Sequence, residues 1–152
     1  MGVDARLQQE RVDPSAELAK LLDRAAGYGA AVTFVGTARP RTKEGKPVEL
    51  IVLEHHSRLT LQSLEEIAAD GATRFSVDHI TVVHRYGDIL PGEPIVFVGV
   101  CSLHRRAAFE AADYVMDRLK TEAVFWKREE GPSGASWIEP TEADYSDRDR
   151  WE

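Results

Sequence analysis

The order in which apolar runs alternate with amphipathic stretches constrains this chain most. Residues 30–37 (AAVTFVGT) and 94–102 (PIVFVGVCS) are short, apolar and rich in β-branched side chains, so each reads as a buried strand. Residues 48–55, 77–86, 123–130 and 135–139 read as further strands, with turns at 90–93 (LPGE) and 131–134 (GPSG). Three helices fall between them. Asp13 or Ser15 caps the first, Pro14 suits its first turn, and Leu18, Leu21, Leu22 and Ala25 recur at helical spacing before Gly27 and Gly29 end it. Residues 60–75 carry Leu61, Leu64, Ile67 and Ala68 on one face. Residues 105–122 carry the stripe Phe109, Ala112, Val115, Met116 and Leu119. The order α-β-β-α-β-β-α-β-β mixes hairpins with helices, which predicts an α+β domain and not a doubly wound parallel sheet. One domain is expected over 1–139. Residues 140–152 are expected to form a loose charged tail, except where Trp151 docks.

A length of 152 residues suffices for a sizeable core. No run of 18 apolar residues occurs, so no transmembrane helix is expected, and residues 1–14 lack the apolar segment of a signal peptide. The single cysteine, Cys101, leaves no partner for an intramolecular disulfide and points to a reducing, cytoplasmic location. The net charge of −7 disfavours general nucleic-acid binding, because phosphate affinity comes from Lys and Arg. An anionic ligand must then be met by a local cluster of opposite sign.

Lys120 flanks the apolar stripe four residues after Met116, and Lys127 lies on a predicted strand in register with Phe125 and Glu129. Position alone assigns both to solvent, Lys120 as a side chain that suits a helix C-terminus. His104-Arg105-Arg106 opens the long helix, where free N–H groups and cations make an anion site. Arg39 follows a strand directly and begins a basic loop with Arg41, Lys43 and Lys46, expected to be mobile or to clamp a ligand. His104 and Lys120 are separated by about 24 Å at 1.5 Å per residue. Either they serve different sites, or a two-fold dimer brings His104 of one chain to Lys120 of the other.

Other candidates carry less. Cys101 lies inside an apolar strand and packs there more readily than it reacts. His55 and His56 are adjacent, and His79 and His84 are five apart, so each pair points to opposite strand faces and no metal site is expected. No dinucleotide fingerprint, P-loop or nucleophile elbow occurs. Trp126, Trp137 and Trp151 are expected to pack or form interfaces.

The segments VTFVG (32–36), LEH (53–55), VHRYG (83–87), PGE (91–93), VFVGV (96–100), SLHR (102–105), AFEA (108–111), MDRLKT (116–121) and FWKRE (125–129) together resemble the large, catalytic subunit of molybdopterin synthase. The resemblance spans residues 30–139, and its last two motifs are the most specific. It implies an α/β hammerhead-type fold with an added antiparallel sheet, and a homodimer within a heterotetramer. Each large subunit would bind one small ubiquitin-like sulfur carrier ending in a Gly-Gly thiocarboxylate. Two sulfurs would convert cyclic pyranopterin monophosphate to the dithiolene of molybdopterin, with no metal or cofactor required. The family's essential lysines fall on Lys120 and Lys127. Its substrate-binding residues fall on Thr37, Ala38, Arg39, His104, Arg105, Arg128 and Glu129, with the His-Arg pair supplied by the neighbouring subunit. The chain departs from the family at Thr37, where lysine is frequent, at His56, where tyrosine is common, and at Val124, where proline is common. The rival readings are a non-catalytic module binding an anionic metabolite or a ubiquitin-like partner, and a sulfurtransferase working through Cys101.

Overall fold

The computed structural model describes residues 2–152. Its elements run β1 (Gly2–Gln8), α1 (Pro14–Ala25), β2 (Ala30–Thr37), β3 (Leu50–His55), α2 (Leu59–Phe75), β4 (His79–Arg85), β5 (Gly87–Ile89), β6 (Pro94–Ser102), α3 (Arg105–Glu122), β7 (Phe125–Gly131), β8 (Gly134–Ile138) and α4 (Glu142–Asp149). The strands form two four-stranded sheets, ordered β1-β4-β6-β2 and β5-β3-β7-β8. Only the β1–β4 pairing is parallel among them. The predicted α+β class holds.

Strand alternation divides the first sheet between two layers of helix. On β6, Val96, Val98 and Val100 enter the main core with Leu64, Ile67 and Ala68 of α2 and Ala108, Ala111 and Val115 of α3. The opposite face of β6 meets α1: a Cβ on Gly99 would lie 2.9 Å from Leu21 Cδ2, so glycine lets that helix close onto the strand. Asp13 caps α1 by accepting from the Ala16 N–H at 3.1 Å. A second, smaller core of Ala38, Val48, Ile51, Leu53 and Ile89 lies on one face of the second sheet. Phe125 packs against both cores and joins them.

Several elements depart from the sequence expectation. Residues 2–8 form β1 although the segment is polar. Ala5 and Leu7 pack on the main core, while the alternate residues Asp4 and Arg6 form a charged network with Glu17 of α1. Paired charges thus replace the apolar face that marks a buried strand. The residues after 86 form the short β5 instead of a bare connection. The strand at 30–37 is an edge strand, not a buried one, and Thr33, Phe34 and Val35 are exposed. Phe109, placed in the apolar stripe of the long helix, is 61% exposed.

The tail is structured. Thr141 and Asp144 form a reciprocal capping box that starts α4. Trp151 packs edge-on against Phe75 and Tyr114, and its Nε1–H donates to Asp117 at 2.7 Å. The docking expected of Trp151 therefore extends to the helix before it.

Candidate active site

Lys120 stands in the last turn of α3 and Lys127 near the start of β7, so the short connection between them sets their spacing. The start of α2 pins that connection. The Thr60 hydroxyl, fully buried, donates to the Val124 carbonyl, and the Val124 N–H donates to Ser63 Oγ at 3.2 Å. His56 organises the same turn, its Nδ1 accepting from the N–H groups of Arg58 and Leu59 at 3.1 and 3.0 Å. Two positions at which the resemblance leads one to expect another residue contribute contacts here. A proline at 124 would have no N–H for Ser63, and a tyrosine at 56 would have no ring nitrogen for the helix start.

Register places Lys127 opposite Leu53 of β3 and Glu129 opposite Ile51, on the face that carries the second core. Burial beside that core lowers the Lys127 pKa, and the nearby charge of Lys120 lowers it further. Glu129 opposes the shift through its field, Arg39 adds to it, and Asp144 of α4 opposes it. Lys120, Lys127 and Arg39 thus form one cluster of positive charge, drawn from the ends of α3, β7 and β2. Glu129 and Asp144 are the acids that bear on it.

Arg39 is exposed where the chain leaves β2. Ala38 beside it is 2% exposed; its N–H donates to the Glu93 carbonyl and its carbonyl accepts from the Gly92 N–H. That residue anchors the loop, and Thr37 is exposed just before it. The basic loop beyond closes into a small hairpin: Thr42 N–H donates to the Lys46 carbonyl, and Arg41 donates to the Gly45 carbonyl at 2.9 Å. Arg128 is occupied by Glu130 at 2.7 Å and Glu54 at 3.4 Å, and lies over the Trp137 ring. His104 and Arg105 are exposed at the opposite end of α3, so one chain does not bring them to the lysines.

The chain's other concentration of arginines is occupied by its own acids. Beneath the tail, Arg118 pairs with Asp70 and Glu122, Arg148 with Asp149, and Arg150 with Asp113 and Asp117. Cys101 is buried, its thiol raised in pKa by that burial, and its Sγ–H points to the Leu21 carbonyl. Among the described residues no three metal-ligating side chains gather.

Sequence reasoning missed two participants. Asp144, on a tail expected to be loose, adds a small opposing charge at Lys127. His84 was weighed only as a metal ligand, yet its ring stacks on Phe125 with centroids 4.2 Å apart and lies in the field of both lysines. The VHRYG motif at 83–87 was the signal that marked it.

An α+β protein of two sheets, with a cationic site where α3 passes into β7, is the class defined by this geometry. The family model of the MoaE protein matches residues 7–122, and the chain belongs to that family. It is 44% identical over 147 residues to the molybdopterin synthase catalytic subunit of Pseudomonas aeruginosa, covering 97% of each. Among solved structures it is similar to the molybdopterin biosynthesis MoaE protein of Burkholderia ambifaria, with a TM-score of 0.82, 38% identity and 98% and 97% of the two chains covered. It is also similar to molybdopterin synthase from Staphylococcus aureus, with a TM-score of 0.79, 25% identity and 88% and 96% covered.

Proposed function

We propose that the chain is the sulfurtransferase subunit of a molybdopterin synthase. It accepts sulfur from the C-terminal thiocarboxylate of a small ubiquitin-like carrier and delivers two sulfurs to cyclic pyranopterin monophosphate. The carrying observation is the shared cluster of Lys120, Lys127 and Arg39, in which Lys127 forms no ion pair among the described residues although acids stand nearby. The substrate phosphate and the thiocarboxylate are both anions, and they must approach each other. Preorganised cations stabilise that encounter and the charge that develops as the cyclic ester opens.

Lys120 is assigned to the thiocarboxylate carbonyl and Lys127 to the pterin or phosphate, with Glu129 balancing it. Arg39 with Thr37 and Ala38 forms the adjoining wall, and Arg128 borders it. His104 and Arg105 complete the pocket from the partner subunit of a homodimer, because α3 holds them about 24 Å from Lys120 at 1.5 Å per residue. The exposed Phe34, Val35, Leu103 and Phe109 supply apolar surface that favours association of this kind. The name catalytic subunit, borne by relatives, supports a companion subunit, and the heterotetramer implied by the resemblance is the assembly proposed. No described helix is long and apolar enough to cross a membrane. A cytoplasmic setting is proposed on the single unpaired cysteine.

The test is sulfur transfer from a thiocarboxylated carrier, followed by mass spectrometry of the pterin product. The wild-type chain is expected to form the dithiolene, with Lys120→Ala and Lys127→Ala each losing at least about a hundredfold in rate. Unchanged substrate with the wild type would make the chain a binder. Near wild-type rates in both variants would remove the lysines from the chemistry.

A further inference from the structure

His84 ends the core-facing row of β4. Ile80 and Val82 precede it on the same face and are both fully buried beneath α2 and α3. A third aliphatic side chain would continue the row, but an imidazole occupies the position. Its neighbours across the sheet, Leu7 on β1 and Val96 on β6, are apolar. The ring lies on Phe125 with planes inclined by 27°, and Phe125 belongs to the strand that carries Lys127.

One ring nitrogen is committed. His84 Nδ1 lies 2.8 Å from the carbonyl oxygen of Arg85. A carbonyl only accepts, so Nδ1 carries the hydrogen and Nε2 is left with its lone pair in the neutral ring. The charged groups bearing on the ring are Lys120 from α3 and Lys127 from β7. Burial, and then those two charges, push its pKa down to about 4, while the Arg85 carbonyl opposes the shift.

We propose that His84 is a positioning residue for the sulfur-transfer site: a neutral imidazole, fixed as its Nδ1–H tautomer by the Arg85 carbonyl and by Phe125, that offers Nε2 as an uncharged acceptor to the lysine pair. A cation here would add to the repulsion that already lowers Lys127, and an alkyl group would offer the ammonium groups no acceptor on this side. The neutral ring avoids both. The inference rests on the sulfur-transfer reading of the same lysines.

The variants separate the two nitrogens. His84→Gln places an amide near Nε2, His84→Asn keeps a donor near Nδ1 alone, and His84→Phe keeps the stacked ring without either. In the reconstituted complex of chain and thiocarboxylated carrier, His84→Phe and His84→Asn are expected to lose about tenfold or more in kcat with KM little changed, and His84→Gln to recover part of it. The acidic limb of the wild-type kcat profile, to which proton uptake by the ring contributes, is expected to be weaker in His84→Gln. Equal kcat in all four proteins, or an unchanged acidic limb, would overturn the proposal while leaving the functional reading intact. Absence of turnover in the wild type would instead reject that reading. Independently of turnover, nitrogen-15 spectra of the wild-type ring are expected to show the neutral Nδ1–H tautomer at pH 7. An Nε2–H tautomer or an imidazolium there would overturn the proposal even if every variant failed to fold.

Discussion

Replacing Trp151 by alanine tests whether the tail is part of the folded core. The indole makes two edge-on aromatic contacts, with ring centroids 5.5 Å from Phe75 and 5.6 Å from Tyr114. Such pairs contribute about 0.5–1.5 kcal/mol each. Its Nε1–H also donates to the Asp117 carboxylate, a bond to a charged group that contributes about 1.5–3 kcal/mol. Asp117 keeps Arg150 at 2.8 Å in the variant, so no buried charge is stranded. The terms overlap and the indole is only partly buried, so the net loss is about 3 kcal/mol, at the lower end for a large aromatic truncation. For a chain of this length that lowers Tm by about 6–12 °C. Trp151→Phe keeps the ring contacts and loses the donor, which predicts about 1.5 kcal/mol, the lower end for that bond, and about 3–6 °C. Calorimetry of the three proteins reads the series directly. A Tm unchanged within about 1 °C in Trp151→Ala would show that the tail does not pack, and the reasoning would fail.

Two further predictions concern stability. His79 and His84 both have pKa values lowered by burial, His84 to about 4. The unfolded chain therefore binds more protons than the folded one as pH falls from about 6.5, and the stability present above that pH is lost progressively on acidification. Denaturant unfolding should show the wild type losing about 3 kcal/mol more between pH 7 and 4 than His84→Phe, and equal losses would contradict the shift. Gly71 of α2 faces α3 so closely that a Cβ would lie 2.9 Å from Val115 Cγ2 and 3.2 Å from Ile80 Cδ1. Gly71→Ala gains about 1 kcal/mol of helix propensity but overpacks the core by about 1–3 kcal/mol, so net destabilisation is expected, relieved by Val115→Ala.

How much of this was legible in the sequence depends on where each residue's partners come from. The strands at 30–37 and 94–102 and the helix at 105–122 are bounded as expected, because apolar run, cap and turn agree locally. β1 was not legible, since its second face is made of ion pairs between Arg6 and residues of two elements. The burial of β2 was overestimated because an apolar run is equally consistent with an edge strand held for another surface. Phe109 went the same way, its spacing fitting the stripe while its side chain faces out. α4 was hidden by a composition that is charged throughout, although its capping box is local. At the site, Lys120 and Lys127 were found through motif resemblance, since spacing alone assigned them to solvent. Their mutual approach depends on Thr60 and Ser63 holding Val124, contacts more than sixty residues apart in sequence. His84 was read by strand alternation as a failed metal ligand, which is correct about its geometry and silent about its neighbours.

The central claim is that Lys120 and Lys127 act in a pocket completed by His104 and Arg105 of the partner subunit. Subunit mixing tests it most directly. Lys127→Ala and His104→Ala chains are each prepared, confirmed inactive with thiocarboxylated carrier, then combined under conditions that exchange subunits. A composite pocket gives every mixed dimer one intact site and one doubly impaired site, so random mixing restores about a quarter of wild-type product formation. If both groups serve pockets within single chains, no mixed dimer holds an intact site, and a mixture that stays inactive despite demonstrated subunit exchange would contradict the account.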